Sequence, residues 1–246
     1  MVVLWQTGIP RHIYAALYCS WRRVAREVEV LKDIFHRYGA RRLIEFGCGI
    51  GRHGYLLSKM GFDVVLTDAK DWRYGVAKKL PFAKLDVLDE DVNVNGGFDG
   101  GYAINFLTIF KYNDMVKALK NIGRIVGNRV FVADYNFTLY NEPREVRIKI
   151  KGETYRALLD EERAEPIEGG VLYKYRVKVL DSRGKIIGIE EDSYPVYRKE
   201  IVFDAIEEAG FKVLEVRWAT WDPVDYMYKL VNKESDSAFI VMSREE

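Results

Sequence analysis

The sequence predicts an α/β fold: a mostly parallel β-sheet covered by helices on both faces, interrupted by a small antiparallel β insertion. Three observations carry this expectation. From Ile13 to Asp134, apolar residues at helical spacing alternate with short β-branched runs, the pattern of strand–helix units in a parallel sheet. Gly47, Gly49 and Gly51 cluster where the first strand-like run gives way to a helix-like one. Beyond Asn136 the texture changes to the alternation of half-exposed antiparallel strands, and helical spacing returns only at Ile201.

The elements follow in order. Ile13 to Arg37 reads as one helix, with Val24, Val28, Leu31, Ile34 and Phe35 on a shared face and Gly39 as its stop. Leu43 to Phe46 is a strand that breaks into the glycine cluster. A helix with Tyr55, Leu56 and Met60 on its apolar side ends at Gly61, and Phe62 to Thr67 is the next strand, closed by Asp68. Trp72 to Leu80 then reads as a short helix and Phe82 to Val87 as a short strand. Phe98 to Phe106 is a long strand, Asp114 to Ile125 a helix, and Arg129 to Asp134 a further strand. In the insertion, Val146 to Ile150, Val171 to Leu180 and Lys185 to Glu191 alternate. Asp181, Ser182, Arg183 and Gly184 supply turn chemistry between the last two. Ile201, Val202, Ala205 and Ile206 mark a helix ended by Gly210, and Phe211 to Trp218 and Ala238 to Met242 are the last strands.

A chain of 246 residues fits one domain, 1–246, with its core at 1–140 and 198–246 and an inserted lid at about 141–197. Thirty-eight basic residues against thirty-seven acidic ones leave a formal charge of +1, with no electrostatic footprint for nucleic acid. Cys19 and Cys48 make neither a disulfide framework nor a structural zinc site, and His12, His36 and His53 lack metal-ligand spacing. No apolar run is long enough to span a bilayer, and Met1 to Pro10 carries no signal-peptide pattern, so a cytoplasmic location is expected. Gln6 is the only glutamine in a chain rich in Lys, Arg and Glu, a bias expected of a thermophilic source.

The chemistry concentrates in Leu43-Ile44-Glu45-Phe46-Gly47-Cys48-Gly49-Ile50-Gly51. It lies at a strand-to-helix turn, the place where open α/β sheets bind ligands. Glycines allow a tight turn and close backbone approach, and the following helix presents N–H groups to an anion. Asp68, at the end of the next strand, is placed to accept from two ribose hydroxyls. A dinucleotide fingerprint would need a small residue where Arg52 stands, and Glu45 would repel a pyrophosphate. Glu45 suits a ligand bearing an ammonium group instead. S-adenosylmethionine, with its ribose, ammonium, carboxylate and sulfonium, fits better than NAD.

Glu45 to His53, followed by Asp68, resembles motif I and the succeeding acidic residue of class I methyltransferases. The resemblance implies a Rossmann-like, doubly wound, mostly parallel seven-stranded sheet with an antiparallel last strand. It also implies S-adenosyl-L-methionine as cofactor, held by Glu45, Gly47, Cys48, Gly49, Gly51, Asp68 and Ala69. Leu85-Asp86-Val87 looks like the family segment that meets the adenine, with Asp86 and Val87 the contacting residues. Asn105 and Phe106 fall where the family's fourth strand lines the methyl-transfer pocket. In related enzymes the leading helix closes over the cofactor, which makes Tyr18 and Arg22 further candidates. The insertion resembles that of small-molecule methyltransferases of the glycine N-methyltransferase-like type.

Each residue has a plainer reading beside this one. Tyr14, Tyr18 and Trp21 form a stripe that packs in most helices, and His53 reads as structural. The Cys48 N–H is a candidate donor to the cofactor, while its thiol packs as a small hydrophobe. Tyr194, Tyr197, Arg198, Trp218 and Trp221 either line an acceptor site or pack a hinge. No His–carboxylate pair is legible, so no catalytic residue is named; Asn105, Tyr135 and His53 are the polar candidates near the reacting centre. The neutral charge and lid-like insertion point to a small-molecule acceptor. An NAD-dependent oxidoreductase and a non-catalytic nucleoside-binding regulator are the competing readings. The insertion's strand edges and aromatics are compatible with a homodimer.

Overall fold

The computed structural model describes residues 8–92, 94, 96–139, 143–222 and 227–245. The first helix expected from the apolar periodicity is two: α1 (Arg11–Leu17) and α2 (Trp21–Arg37). Ser20 separates them, its hydroxyl accepting from the Arg23 N–H at 3.2 Å, and an N-cap of this kind starts a new helix rather than continuing an old one.

The central sheet runs β11-β10-β12-β5-β4-β1-β2-β3. Strands β1 (Arg42–Glu45), β2 (Asp63–Asp68), β3 (Phe82–Lys84), β4 (Gly100–Ala103) and β5 (Val130–Asn136) are parallel. β12 (Ser237–Arg244) returns antiparallel to β5 and pairs with β10 (Phe211–Asp222), also antiparallel. β11 (Met227–Leu230) extends the edge beyond β10, so the sheet has eight strands where seven were expected. β4 is shorter than the run from Phe98 to Phe106 because Asn105 takes a left-handed φ of 52° and Leu107–Ile109 curl into a 3-10 turn. The helix expected over Trp72 to Leu80 is a 3-10 segment, Gly75–Lys79.

Alternation along β12 shows how both faces are buried. Ala238, Ile240 and Met242 pack with α4 (Tyr112–Val126) and α5 (Lys199–Glu208), against Leu119, Ile122 and Ile206. Phe239 and Val241 pack on the other face with Leu31 of α2 and Leu57 of α3 (Arg52–Lys59). Residues one apart on a strand serve opposite layers.

The insertion is a separate antiparallel sheet in the order β6 (Glu145–Ile150), β7 (Glu153–Ile167), β8 (Gly170–Leu180), β9 (Ile186–Tyr197). Its β8–β9 turn is built as expected: Asp181 Oδ1 accepts from the N–H groups of Arg183 and Lys185, each at 2.9 Å. β7 was not foreseen. One face of this sheet covers α1, where Ile13 and Leu17 meet Ile148, Val177 and Val179, and Ile50 from the glycine turn joins the same cluster.

Candidate functional site

From β1 the chain goes on to β2 on one side, while β4, on the other side of β1, leads on to β5. The loops diverge here, leaving a crevice at the carboxyl ends of the strands, the topological switch point at which such sheets bind ligands. The turn from β1 to α3 forms its floor.

Gly47, Gly49 and Gly51 all adopt positive φ, at 64°, 50° and 76°. At Gly47 a Cβ would lie 2.0 Å from the Phe106 ring, so this position needs glycine for space as well as for its dihedral. At Gly49 a Cβ would meet nothing within 4 Å, so the turn is open at this position. The Gly49 N–H donates to Asp68 Oδ2 at 2.9 Å, and the same carboxylate accepts from the backbone of Ala69 and Lys70. Burial nonetheless raises the Asp68 pKa, with the nearby Asp86 charge adding to it. Asp86 caps its own loop, Oδ1 accepting from Leu88 N–H at 3.0 Å, and Val87 is buried with its carbonyl bonded to Asn121. The ends of β2 and β3 thus bring Asp68 and Asp86 to one region. The Cys48 N–H donates to the Thr67 carbonyl at 2.9 Å, so it is committed to the fold rather than offered to a ligand.

Glu45 behaves differently from the expected ammonium partner. It is buried, with Oε2 accepting from Gly54 N–H at 3.1 Å and the Tyr102 hydroxyl at 3.0 Å. Burial pushes its pKa up to about 7. Through Gly54 it anchors the first turn of α3, and so acts on the glycine turn from behind.

Behind the crevice lies a network that the sequence did not reveal. His53 Nε2 sits 2.6 Å from Glu27 Oε2, and Glu27 Oε1 accepts from Arg23 Nε at 2.8 Å. Arg23 also donates to the Tyr18 carbonyl at 3.1 Å and to Asn105 Oδ1 at 2.6 Å, and lies over the Trp221 ring at 4.9 Å. The Asn105 N–H donates to Asp134 Oδ1 at 2.6 Å. Burial opposes the charge on Glu27, but Arg23 and His53 outweigh it and hold the carboxyl below its ordinary range. Burial likewise works against the His53 imidazolium, and Glu27 reverses the direction, raising its pKa. Asp134 is pushed up to about 7 by burial and by the Glu27 charge. A chain of alternating partners therefore runs from β1 through α3 and α2 to the ends of β4 and β5.

Arg22, the expected lid residue, is exposed, and its neighbour Arg23 turns inward instead. The Tyr18 ring packs tilted against Tyr14, with centroids 5.1 Å and planes 49° apart. Arg52 donates to the carbonyls of Ala15 and Cys19 and lies 4.3 Å over the Trp21 ring, clasping the α1–α2 corner onto α3. Tyr197 accepts from Tyr112 N–H at 2.8 Å and Trp218 packs against Phe137, while Arg198 is exposed at the start of α5. The Tyr135 ring is fully buried in the core.

No protein-family model and no curated protein matches this sequence. Solved structures do match. One is a S-adenosylmethionine-dependent methyltransferase from Clostridium acetobutylicum, with 14% identity over 96% of this chain and 98% of that one, TM-score 0.69. Another is the sugar N-methyltransferase KedS8 from Streptoalloteichus, with 16% identity over 100% and 96%, TM-score 0.71. A third is CalS10, an amino pentose methyltransferase from Micromonospora echinaspora solved with S-adenosylmethionine bound, with 16% identity over 100% and 99%, TM-score 0.63. The fold is thus the Rossmann-like methyltransferase fold, and the likeness covers 96% or more of each chain.

Proposed function

We propose that this protein transfers a methyl group from S-adenosylmethionine to a small-molecule acceptor. The observation that carries the reading is the left-handed glycine turn tied to Asp68 at the switch point, with open space over Gly49. Asp68 would hold the ribose, Asp86 and Val87 would meet the adenine, and Gly47, Gly49 and Ala69 would receive the rest of the cofactor. Tyr18 on the α1–α2 corner would cover it, and Asn105 would stand near the transferred group. The sulfonium-bound methyl supplies the chemical drive, and the chain's own task is to align the acceptor and exclude water. The similar structures, named for methyl transfer to sugars among other acceptors, support this reading. Arg52 supports it over a dinucleotide, since it holds the α1–α2 corner against the first turn of α3, where a pyrophosphate would approach. No helix among the described residues is long and apolar enough to cross a membrane. We place the protein in the cytoplasm of a heat-adapted organism, without a nucleic-acid partner.

Calorimetric titration with S-adenosylhomocysteine tests the reading. Saturable binding is expected, with no heat from NAD. Asp68→Ala and Gly49→Ala should each weaken it about 30-fold, the equivalent of some 2 kcal/mol of lost or obstructed contacts. Absence of binding, or binding indifferent to both variants, overturns it.

A further inference from the structure

Glu190 of β9 is only 3% exposed, yet no cation pairs with it among the described residues. Cross-strand register places Glu190 opposite Val177, Asp192 opposite Tyr175 and Tyr194 opposite Tyr173. Residues directly opposite, and those two apart on one strand, share a face, and this is the face that α1 covers. The Tyr175 hydroxyl donates to Glu190 Oε1 at 3.4 Å, and the Tyr18 hydroxyl lies beside the same carboxylate. Oε2 is buried and has no hydrogen-bond donor among the described residues. Burial first, then the Asp192 charge, pushes the Glu190 carboxyl up to about 7.

An apolar side chain here would pack with Val177 and Val179 at no electrostatic cost. A carboxylate left buried and uncompensated costs several kcal/mol unless something pairs with it. What the surroundings offer is a carboxyl group with a free acceptor oxygen and the hydroxyl oxygens of Tyr18 and Tyr175 beside it. A carboxylate among acceptor oxygens recognises the N–H groups of an organic ammonium. They do not make a metal site, and no cluster of three metal-ligating side chains occurs among the described residues. The position also adjoins the crevice. Ile50 of the glycine turn packs in the same cluster as Tyr14, Tyr18 and Tyr175. Arg23 joins the Tyr18 carbonyl to Asn105.

We propose that Glu190, with Tyr18 and Tyr175, is the site that receives a protonated amine of the methyl acceptor. The carboxylate Oε2 accepts an ammonium N–H, and the tyrosine hydroxyl oxygens beside it are further acceptors for the same group. The acceptor is accordingly an amine-bearing small molecule. This rests on the methyl-transfer reading for the ligand's identity as acceptor, but the cation site itself stands on the Glu190 geometry.

The test is calorimetry on the full-length protein saturated with S-adenosylhomocysteine, and again without it. The probes are glucosamine, cyclohexylamine and benzylamine, each against its neutral counterpart glucose, cyclohexanol or benzyl alcohol, with magnesium and calcium chloride in parallel. At least one amine is expected to bind 10-fold or more tighter than its neutral counterpart. Glu190→Gln should abolish that preference while leaving S-adenosylhomocysteine affinity and the melting temperature at pH 9 undiminished. Should Glu190→Gln fail to fold, Glu190→Asp, which withdraws the carboxylate by one methylene, should weaken amine binding at least 5-fold. No preference for any amine, a preference that survives Glu190→Gln or Glu190→Asp, or binding of the metal ions instead overturns the proposal. If S-adenosylhomocysteine gives no heat while the amine preference is present, the methyl-transfer reading falls and the cation site stands.

Discussion

Four carboxylates are buried among the described residues, and their surroundings divide them: Arg23 and His53 keep Glu27 charged, whereas burial drives Glu45, Asp134 and Glu190 up to about 7. The direction fixes how stability responds to pH. A carboxyl whose folded pKa lies above its unfolded one contributes stability that is complete below the unfolded value, near 4, and lost as pH rises through 7. Glu27 acts oppositely, its contribution disappearing as pH falls below about 4. Asp134→Asn keeps an acceptor oxygen for the Asn105 N–H while removing the ionisable group. Urea unfolding should find this variant about 2 kcal/mol more stable than the wild type at pH 9 and little changed at pH 5. A uniform loss at both pH values would show that the charge, not the neutral acid, is what the fold uses. The glycine turn was legible in the sequence because its backbone conformations leave few alternatives to glycine. The network behind it was not, because Arg23 and Glu27 stand four apart on a helix like any solvated pair. Only the folded chain shows that this face turns inward onto His53 and Asn105.

Among the elements, α1 depends most on contacts beyond its own length. Seven residues are too few for a stable isolated helix, and its end is held by Arg52, reaching from α3 to the Ala15 and Cys19 carbonyls. Arg52→Ala removes both bonds and the stacking on Trp21. The expected result is faster hydrogen exchange across residues 11–19, with opening easier by about 2–3 kcal/mol and exchange in β1, β4 and β5 unchanged. Unaltered protection of α1 would show that its packing on the insertion is sufficient alone. The same helix shows where sequence patterns fall short. Tyr14, Tyr18 and Trp21 continue the helical spacing across a break that only the Ser20 cap marks. In β7, the charged run from Asp160 to Arg163 hides the alternation, and the register shift between Leu159 and Glu161 breaks it. β11, four residues on a sheet edge, is too short to carry a period. The central strands were legible because burial on both faces leaves continuous apolar runs; their order was not, since it is set by contacts between strands far apart in sequence.

At the scale of the whole molecule, part of the abundance of Lys, Arg and Glu is organised into networks, beside isolated pairs such as Lys32–Glu29 and Arg42–Asp63. Arg37 meets Asp33 at 3.5 Å and Glu215 at 2.9 Å, while Arg217 meets the same two carboxylates at 2.7 and 2.9 Å, joining α2 to β10. On the insertion, Arg176 meets Asp160 at 2.7 Å and Glu191 at 3.5 Å, with Lys178 on Asp160 at 2.8 Å, across β7, β8 and β9. Each exposed pair contributes at most about 1 kcal/mol at 25 °C, but the dehydration cost of ions falls on heating, so networks gain weight when hot. Salt at 1 M shortens the screening length to about 3 Å. The wild type should therefore melt about 5 °C lower in 1 M than in 0.05 M sodium chloride, two networks being worth roughly 2 kcal/mol at that temperature. Sodium chloride also strengthens apolar burial, which acts in the other direction, so the comparison needs a chain without the networks. In Asp160→Asn/Glu215→Gln, the downward shift should vanish or reverse, and unfolding free energy at 25 °C should change by less than about 1 kcal/mol. A salt response identical in the two proteins would show that these networks do not carry it.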